Sequence, residues 1–154
     1  PEGAAFLLDQ GVSSFQFAYA LGVEWGPERA AAFERALARV DALCARAGAD
    51  VLNRRGGPEP VLLDPQLVLD VGGELSVGCW TVLETVFPDL RRAFARGPIS
   101  AASRLPVEDR SPGAQLARLL GAARSKSDRR IMLDNVDLGR RMARFWAVQE
   151  AARA

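Results

Sequence analysis

The chain reads as an α+β protein: an α/β rhythm in the N-terminal half, then a β-hairpin, then C-terminal helices. Three observations carry this. Residues 14–21 alternate Phe15, Phe17, Tyr19 and Leu21 with Ser14, Gln16, Ala18 and Ala20, a period of two. Residues 26–47 repeat apolar side chains at helical spacing, and residues 66–80, QLVLDVGGELSVGCW, form two short alternating runs around a Gly-Gly pair.

Residues 4–10 read as the last turns of a helix and Gly11 as its stop. The strand expected over 14–21 has a second face of small rather than charged residues, the pattern of a strand covered on both sides in a parallel sheet. Gly26-Pro27-Glu28 opens the next helix, with proline in its first turn and Glu28 at the positive end of its dipole. Trp25 is placed to staple onto Ala30. Phe33, Ala36, Leu37, Val40, Leu43, Cys44 and Ala47 form the apolar stripe, which makes Cys44 a buried, inert thiol. Gly48 ends the helix. Gly and Pro exclude regular structure over 53–60, and Val61 to Leu63 read as a short strand.

The hairpin register follows from side-chain parity. A two-residue Gly72-Gly73 loop would pair Val71 with Glu74 and mix apolar with polar residues on both faces. A three-residue loop, Val71 to Gly73, pairs Asp70 with Glu74, Leu69 with Leu75 and Leu67 with Val77. It gathers Leu67, Leu69, Leu75, Val77 and Cys79 on one face. Asp70 suits the first turn position and Gly73 the left-handed one, so the three-residue loop is expected. Asp70 and Glu74 repel across the mouth and favour solvent there. Residues 81–87 extend the second strand or begin a helix. A helix over 89–96 follows Pro88 and closes at Gly97-Pro98, and residues 98–113 read as irregular. A helix over 115–123 presents Leu116, Leu119 and Leu120. Asp134 or Asn135 is expected to cap the last helix, with Leu138, Met142, Phe145, Trp146 and Gln149 inward and Arg140, Arg141 and Arg144 on a solvated face. Residues 1–100 thus form an α/β segment with the hairpin at 66–80, and 101–154 an irregular connection and helical basic tail packed on the same domain.

Composition narrows the function classes. A chain of 154 residues fits one ordinary domain. No apolar run reaches membrane-spanning length and no signal-peptide pattern opens the chain, so the cytoplasm is expected. Arginine supplies nearly all the positive charge and Lys126 is the only lysine, a bias suggesting GC-rich bacterial coding. Residues 1–100 hold 9 basic and 13 acidic residues (net −4), and residues 101–154 hold 11 and 6 (net +5). No aromatic-basic platform accompanies the basic tail, so nucleic-acid binding is not expected.

Histidine is absent, which excludes Ser-His-Asp catalysis. No phosphate-binding glycine loop, nucleophile elbow or HExxH is present, so catalytic and cofactor-binding residues go unassigned. Arg54-Arg55-Gly56-Gly57 is a weak anion-loop candidate, with a solvated turn the simpler reading. Ligands of α/β folds gather at the carboxyl ends of strands. Tyr19, Glu24 and Trp25 are therefore pocket-wall candidates, joined by Trp80 at the hairpin's end. Cys79 is the candidate metal ligand, weighed against a plain core role; one thiolate does not hold an iron–sulfur cluster.

The order GVSSFQFAYALGVEW, helix, LDPQLVLDVGGELSVGC and FPDLRRAFARG, over about residues 4–100, resembles the C-terminal half of radical S-adenosylmethionine enzymes. In that family a partial (β/α) barrel passes into an auxiliary hairpin of the form hydrophobic-x-hydrophobic-D-x-x-G-x-hydrophobic-x-x-C, and a helix follows with Phe and Gly near its end, as in Phe94 to Gly97. The resemblance implies S-adenosylmethionine and a [4Fe–4S] cluster in a parent enzyme, and only Cys79 falls on a position that is sometimes a cluster ligand. The family's CxxxCxxC loop is absent. The expectation is a catalytically incomplete portion of such an enzyme, shaping a substrate or peptide site, with the remainder of the enzyme or a peptide or small-molecule substrate as partner. The alternatives are a stand-alone α+β interaction module, homo-oligomeric in one version, and a small enzyme using carboxylates such as Glu24, Asp70 or Glu84.

Overall fold

A computed structural model describes residues 1–55, 63, 66–78 and 86–152 of the chain. The protein is α+β. It divides into two compact units: Pro1–Tyr19 with Trp25–Pro58 and Arg140–Ala154, and Ala20–Glu24 with Glu59–Gly139.

In the first unit, α1 (Glu2–Asp9) ends in a Schellman motif: Val12 N–H donates to Leu7 O at 3.0 Å and Gly11 N–H to Leu8 O at 2.9 Å. Gly11 takes φ +84°, which glycine adopts without strain. β1 (Ser14–Phe15) pairs in parallel with β2 (Asp50–Val51), Ser14 with Asp50 and Phe15 with Val51. The crossover is α2 (Gly26–Ala47), closed at Gly48 as expected. Its buried side chains are Ala30, Leu37, Val40, Cys44 and, unexpectedly, Asp41. Phe15, Leu37, Val40, Cys44, Val51 and Trp146 form the core, and Cys44 is fully buried.

The strand expected over 14–21 stops at Phe15. Beyond it the Asn53 side chain replaces the ladder: Phe17 N–H donates to Asn53 Oδ1 at 2.7 Å, and Asn53 Nδ2 donates to Phe17 O at 2.8 Å. The amide satisfies the backbone pair a neighbouring strand would have used. A 3-10 turn, Leu52–Arg55, follows β2 where no regular structure was expected.

In the second unit, β3 (Leu67–Leu69) and β4 (Glu74–Val77) pair antiparallel with Leu67 opposite Val77 and Leu69 opposite Leu75, the register of the three-residue loop. Asp70 Oδ1 accepts from Gly72 N at 2.8 Å and Glu74 N at 2.9 Å, and Gly73 takes φ +78°. The mouth is not merely repulsive, because Arg91 Nη2 reaches Asp70 and Glu74 at 3.2 and 3.1 Å. Burial is also uneven. Leu75 and Val77 are buried, whereas Leu67 and Leu69 stay 41% and 49% exposed. The reason is strand order: among the described residues β3 is an edge, and the helix expected over 89–96 gives way after α3 (Leu90–Phe94) to β5 (Ala95–Pro98), which pairs with β4. Gly97, at φ +87°, allows a bulge that leaves Arg96 between Ala95 and Gly97 in the ladder.

Two 3-10 turns, Ile99–Arg104 and Val107–Arg110, lead to α4 (Pro112–Gly121), whose N-cap Ser111 Oγ accepts from Ala114 N. α5 (Lys126–Ala151) begins well before Asp134 or Asn135. Its start is set by Ser125, whose Oγ accepts from Asp128 N at 3.0 Å while Asp128 Oδ2 accepts from Arg124 N. Asn135 is instead buried mid-helix: its Oδ1 accepts from Gly22 N, and its Nδ2 donates to Val23 O and Ile131 O. Leu63, Phe87, Leu90, Phe94, Leu119, Met132 and Val136 form this unit's core. Among the described residues no helix is long and apolar enough to cross a membrane.

Candidate functional site

The parallel pair gives the first unit a defined carboxyl end. Segments leaving β1 and β2 there carry Phe17, Tyr19, Asn53 and Arg54, and Asn53 ties the two segments together through Phe17. Carboxyl ends of parallel strands are the usual ligand side of α/β units.

Arg54 corrects the solvated-turn reading. Its guanidinium pairs with Asp41 on α2, with side chains 8% and 9% exposed, and its Cζ lies 5.9 Å from the Trp146 ring centroid. A buried carboxylate is tolerated when paired and hydrogen-bonded, and Trp146 adds a cation–π contact. Trp146 also stacks on Phe17 at 6.1 Å and meets Phe145 edge-on at 4.8 Å. Arg54 Nε and Trp146 Nε1 are buried donors without an acceptor among the described residues. Arg54 is thus committed inward and is not a free anion clamp. The rest of the proposed anion loop, Gly56 and Gly57, lies outside the described residues.

Tyr19 and Trp25 do meet, their centroids 6.3 Å apart. Trp25 packs edge-on against Phe33 at 5.4 Å, and Tyr19 meets the same ring at 6.3 Å. Burial pushes the Tyr19 phenol well above its ordinary value, so it stays protonated. Glu24 belongs to the second unit, where its carboxylate takes a 2.7 Å bond from Arg130 Nη2, both groups well exposed. Cys79 and Trp80 lie outside the described residues.

A second concavity, about 390 Å³ and open, is lined by Glu34, Arg141, Arg144, Phe145, Val148 and Gln149. Glu34 partly offsets Arg141 at 3.5 Å. Arg141 and Arg144 of the face read as solvated therefore border a ligand-sized hollow.

Both places combine apolar side chains with paired charges, Arg54 with Asp41 in one and Arg141 with Glu34 in the other. Among the described residues no cluster of three or more His, Cys, Asp or Glu could hold a metal ion. Sequence reasoning missed Asp41 and its pairing with Arg54. The signal was Asp41 itself, one turn after Leu37 and just before Cys44 on the buried stripe, where a carboxylate needs a cation. Comparison with known protein families, curated proteins and solved structures finds no significant match to this chain.

Proposed function

We propose that this chain is the C-terminal, catalytically incomplete portion of a radical S-adenosylmethionine-type enzyme and that it shapes a substrate or peptide site. The observation that carries the reading is the β1–α2–β2 unit, a parallel pair joined through a helix, which is the repeating unit of a (β/α) barrel. The Asp-x-x-Gly hairpin follows it in the chain with its three-residue loop. Among the described residues β1 and β2 pair only with each other, and the remainder of the enzyme would supply flanking strands. At the carboxyl end of this pair the Tyr19 phenol is buried and protonated and the Arg54 guanidinium is buried in an ion pair, so they support the shape of a site rather than proton transfer. The described residues do not fit a [4Fe–4S] cluster, since Cys44 is sealed in the core and no other thiolate accompanies it. The chemistry of such a cluster and of S-adenosylmethionine then belongs to the rest of the enzyme, in the cytoplasm.

The coding sequence upstream of Pro1 tests this reading. A CxxxCxxC loop there supports it; an initiator codon directly before Pro1, with no such loop in a neighbouring gene, removes it. Anaerobic iron–sulfur reconstitution of this chain alone should give no cluster absorbance. Uptake of a cluster that Cys79→Ser abolishes would overturn the assignment of that chemistry elsewhere. A second reading, a stand-alone interaction module, is favoured by α1, which packs half-buried Ala4 and Leu8 on the core and exposes Phe6 and Leu7. Light scattering showing a dimer that Phe6→Glu dissociates would favour that reading.

A further inference from the structure

Among the described residues β3 is an edge of the sheet β3-β4-β5. Hydrogen-bond parity decides which of its backbone groups face outward. Asp70 N–H donates to Glu74 O at 3.0 Å and Gly78 N–H to Gln66 O at 2.8 Å, and Val68 sits opposite Ser76. Residues 66, 68 and 70 therefore turn their N–H and C=O groups toward β4, and Leu67 and Leu69 turn theirs into the open edge. Those same leucines are about half exposed, and Val71 beside them is fully exposed. Native sheets commonly blunt an edge with lysine, proline or an inward charge; Leu67-Val68-Leu69 carries none of these.

We propose that this edge takes an extended peptide as an added antiparallel strand, with apolar side chains opposite Leu67 and Leu69 and a basic side chain opposite Asp70. The two leucines offer two N–H and two C=O groups, and main-chain pairing of this kind supplies the affinity in strand addition. Directly opposed residues share a face, so the peptide's apolar side chains would join Leu67, Leu69, Leu75 and Val77. Asp70 and Glu74 share the guanidinium of Arg91, two carboxylates to one cation, which selects a basic residue at the mouth. A second copy fits less well. Paired about Val68, it would set Gln66 opposite Asp70 and leave that charge unmatched. Two three-residue edges also bury far less than the ~1,200 Å² of a stable interface. The inference stands independently of the proposed parent enzyme.

The test is an NMR titration of the full chain with the acetylated, amidated peptide Thr-Lys-Val-Thr-Val-Thr, lysine meeting Asp70 and the valines meeting Leu69 and Leu67. Shifts and slowed amide exchange are expected at Leu67 and Leu69. N-methylating both valines should weaken binding at least about tenfold. Leu69→Pro, which removes an outward N–H and no β3–β4 bond, should act alike. Equal affinity for the N-methylated peptide overturns the proposal without relying on a variant's folding. Absence of binding, or shifts confined to other elements, also overturns it. A concentration-dependent dimer lost in Leu69→Pro would reassign the edge to a second copy.

Discussion

Replacing Arg54 with alanine removes a guanidinium from the buried side of the first unit and leaves the Asp41 carboxylate without it. Both side chains are under one-tenth exposed. Breaking one partner of such a pair costs about 3–5 kcal/mol, because the remaining charge stays desolvated, and loss of the contact with Trp146 adds about 1 kcal/mol. At about 2–4 °C per kcal/mol for a chain of this size, the midpoint should fall by roughly 10 °C or more. Urea and thermal unfolding, followed by tryptophan fluorescence and far-ultraviolet circular dichroism, measure the loss. The double variant Asp41→Leu/Arg54→Met separates the charge from the packing: with neither ion present, stability should return to within about 2 kcal/mol of the native chain. A single-variant loss below about 1 kcal/mol, the range of exposed pairs, would refute the reasoning. So would a double variant no more stable than Arg54→Ala.

Two further outcomes are expected. Tyr19 is the only tyrosine, so the alkaline absorbance titration reads it alone. Its folded value lies above the ordinary 10.0, so its contribution to stability is complete below about pH 10 and fades as pH rises beyond it. Phenolate should appear only with unfolding, and Tyr19→Phe should flatten stability against pH in that range; ionisation near pH 10 in the folded chain would contradict the burial argument. Asn135→Leu strips partners from Gly22 N–H and Val23 O, at about 1–3 kcal/mol for each buried group left unsatisfied. Amide exchange at Gly22 should accelerate with the loss of stability, and unchanged exchange there would show that the Asn135 side chain does not hold the segment.

Where local chemistry sufficed, the expectations hold. The hairpin register rests on side-chain parity and on Asp70 and Gly73 in the turn, all within a dozen residues, and the ladder agrees with it. Helix α2 carries its own start in Gly26-Pro27-Glu28 and its own stop in Gly48. The errors come where distant residues intervene. Alternation over 14–21 resembles a strand, yet Asn53, 36 positions from Phe17, takes over the backbone bonds. Asn135 resembles a cap because asparagine favours caps, but its amide is used on Gly22 and Val23 from mid-helix. The cap that the structure uses, Ser125 with Asp128, stands in the sequence as a local S-x-x-D signal. Of the site candidates, Tyr19 and Trp25 do share one aromatic cluster, whereas Glu24 engages Arg130 in the other unit.

The sequence by itself determined the α+β class, the register of β3 with β4, the limits of α2 and the burial of Cys44. Each follows from periodicity and turn or cap chemistry acting over one or two turns of chain. Only the tertiary structure decided that Asp41 and Arg54 face each other beside Trp146, that β5 joins β4 and leaves Leu67 and Leu69 on an edge, and that an asparagine amide stands in for a strand. Those outcomes depend on which desolvated polar groups find partners far along the chain. A buried charge or an unpaired amide states that it needs a partner; the fold decides which one it gets.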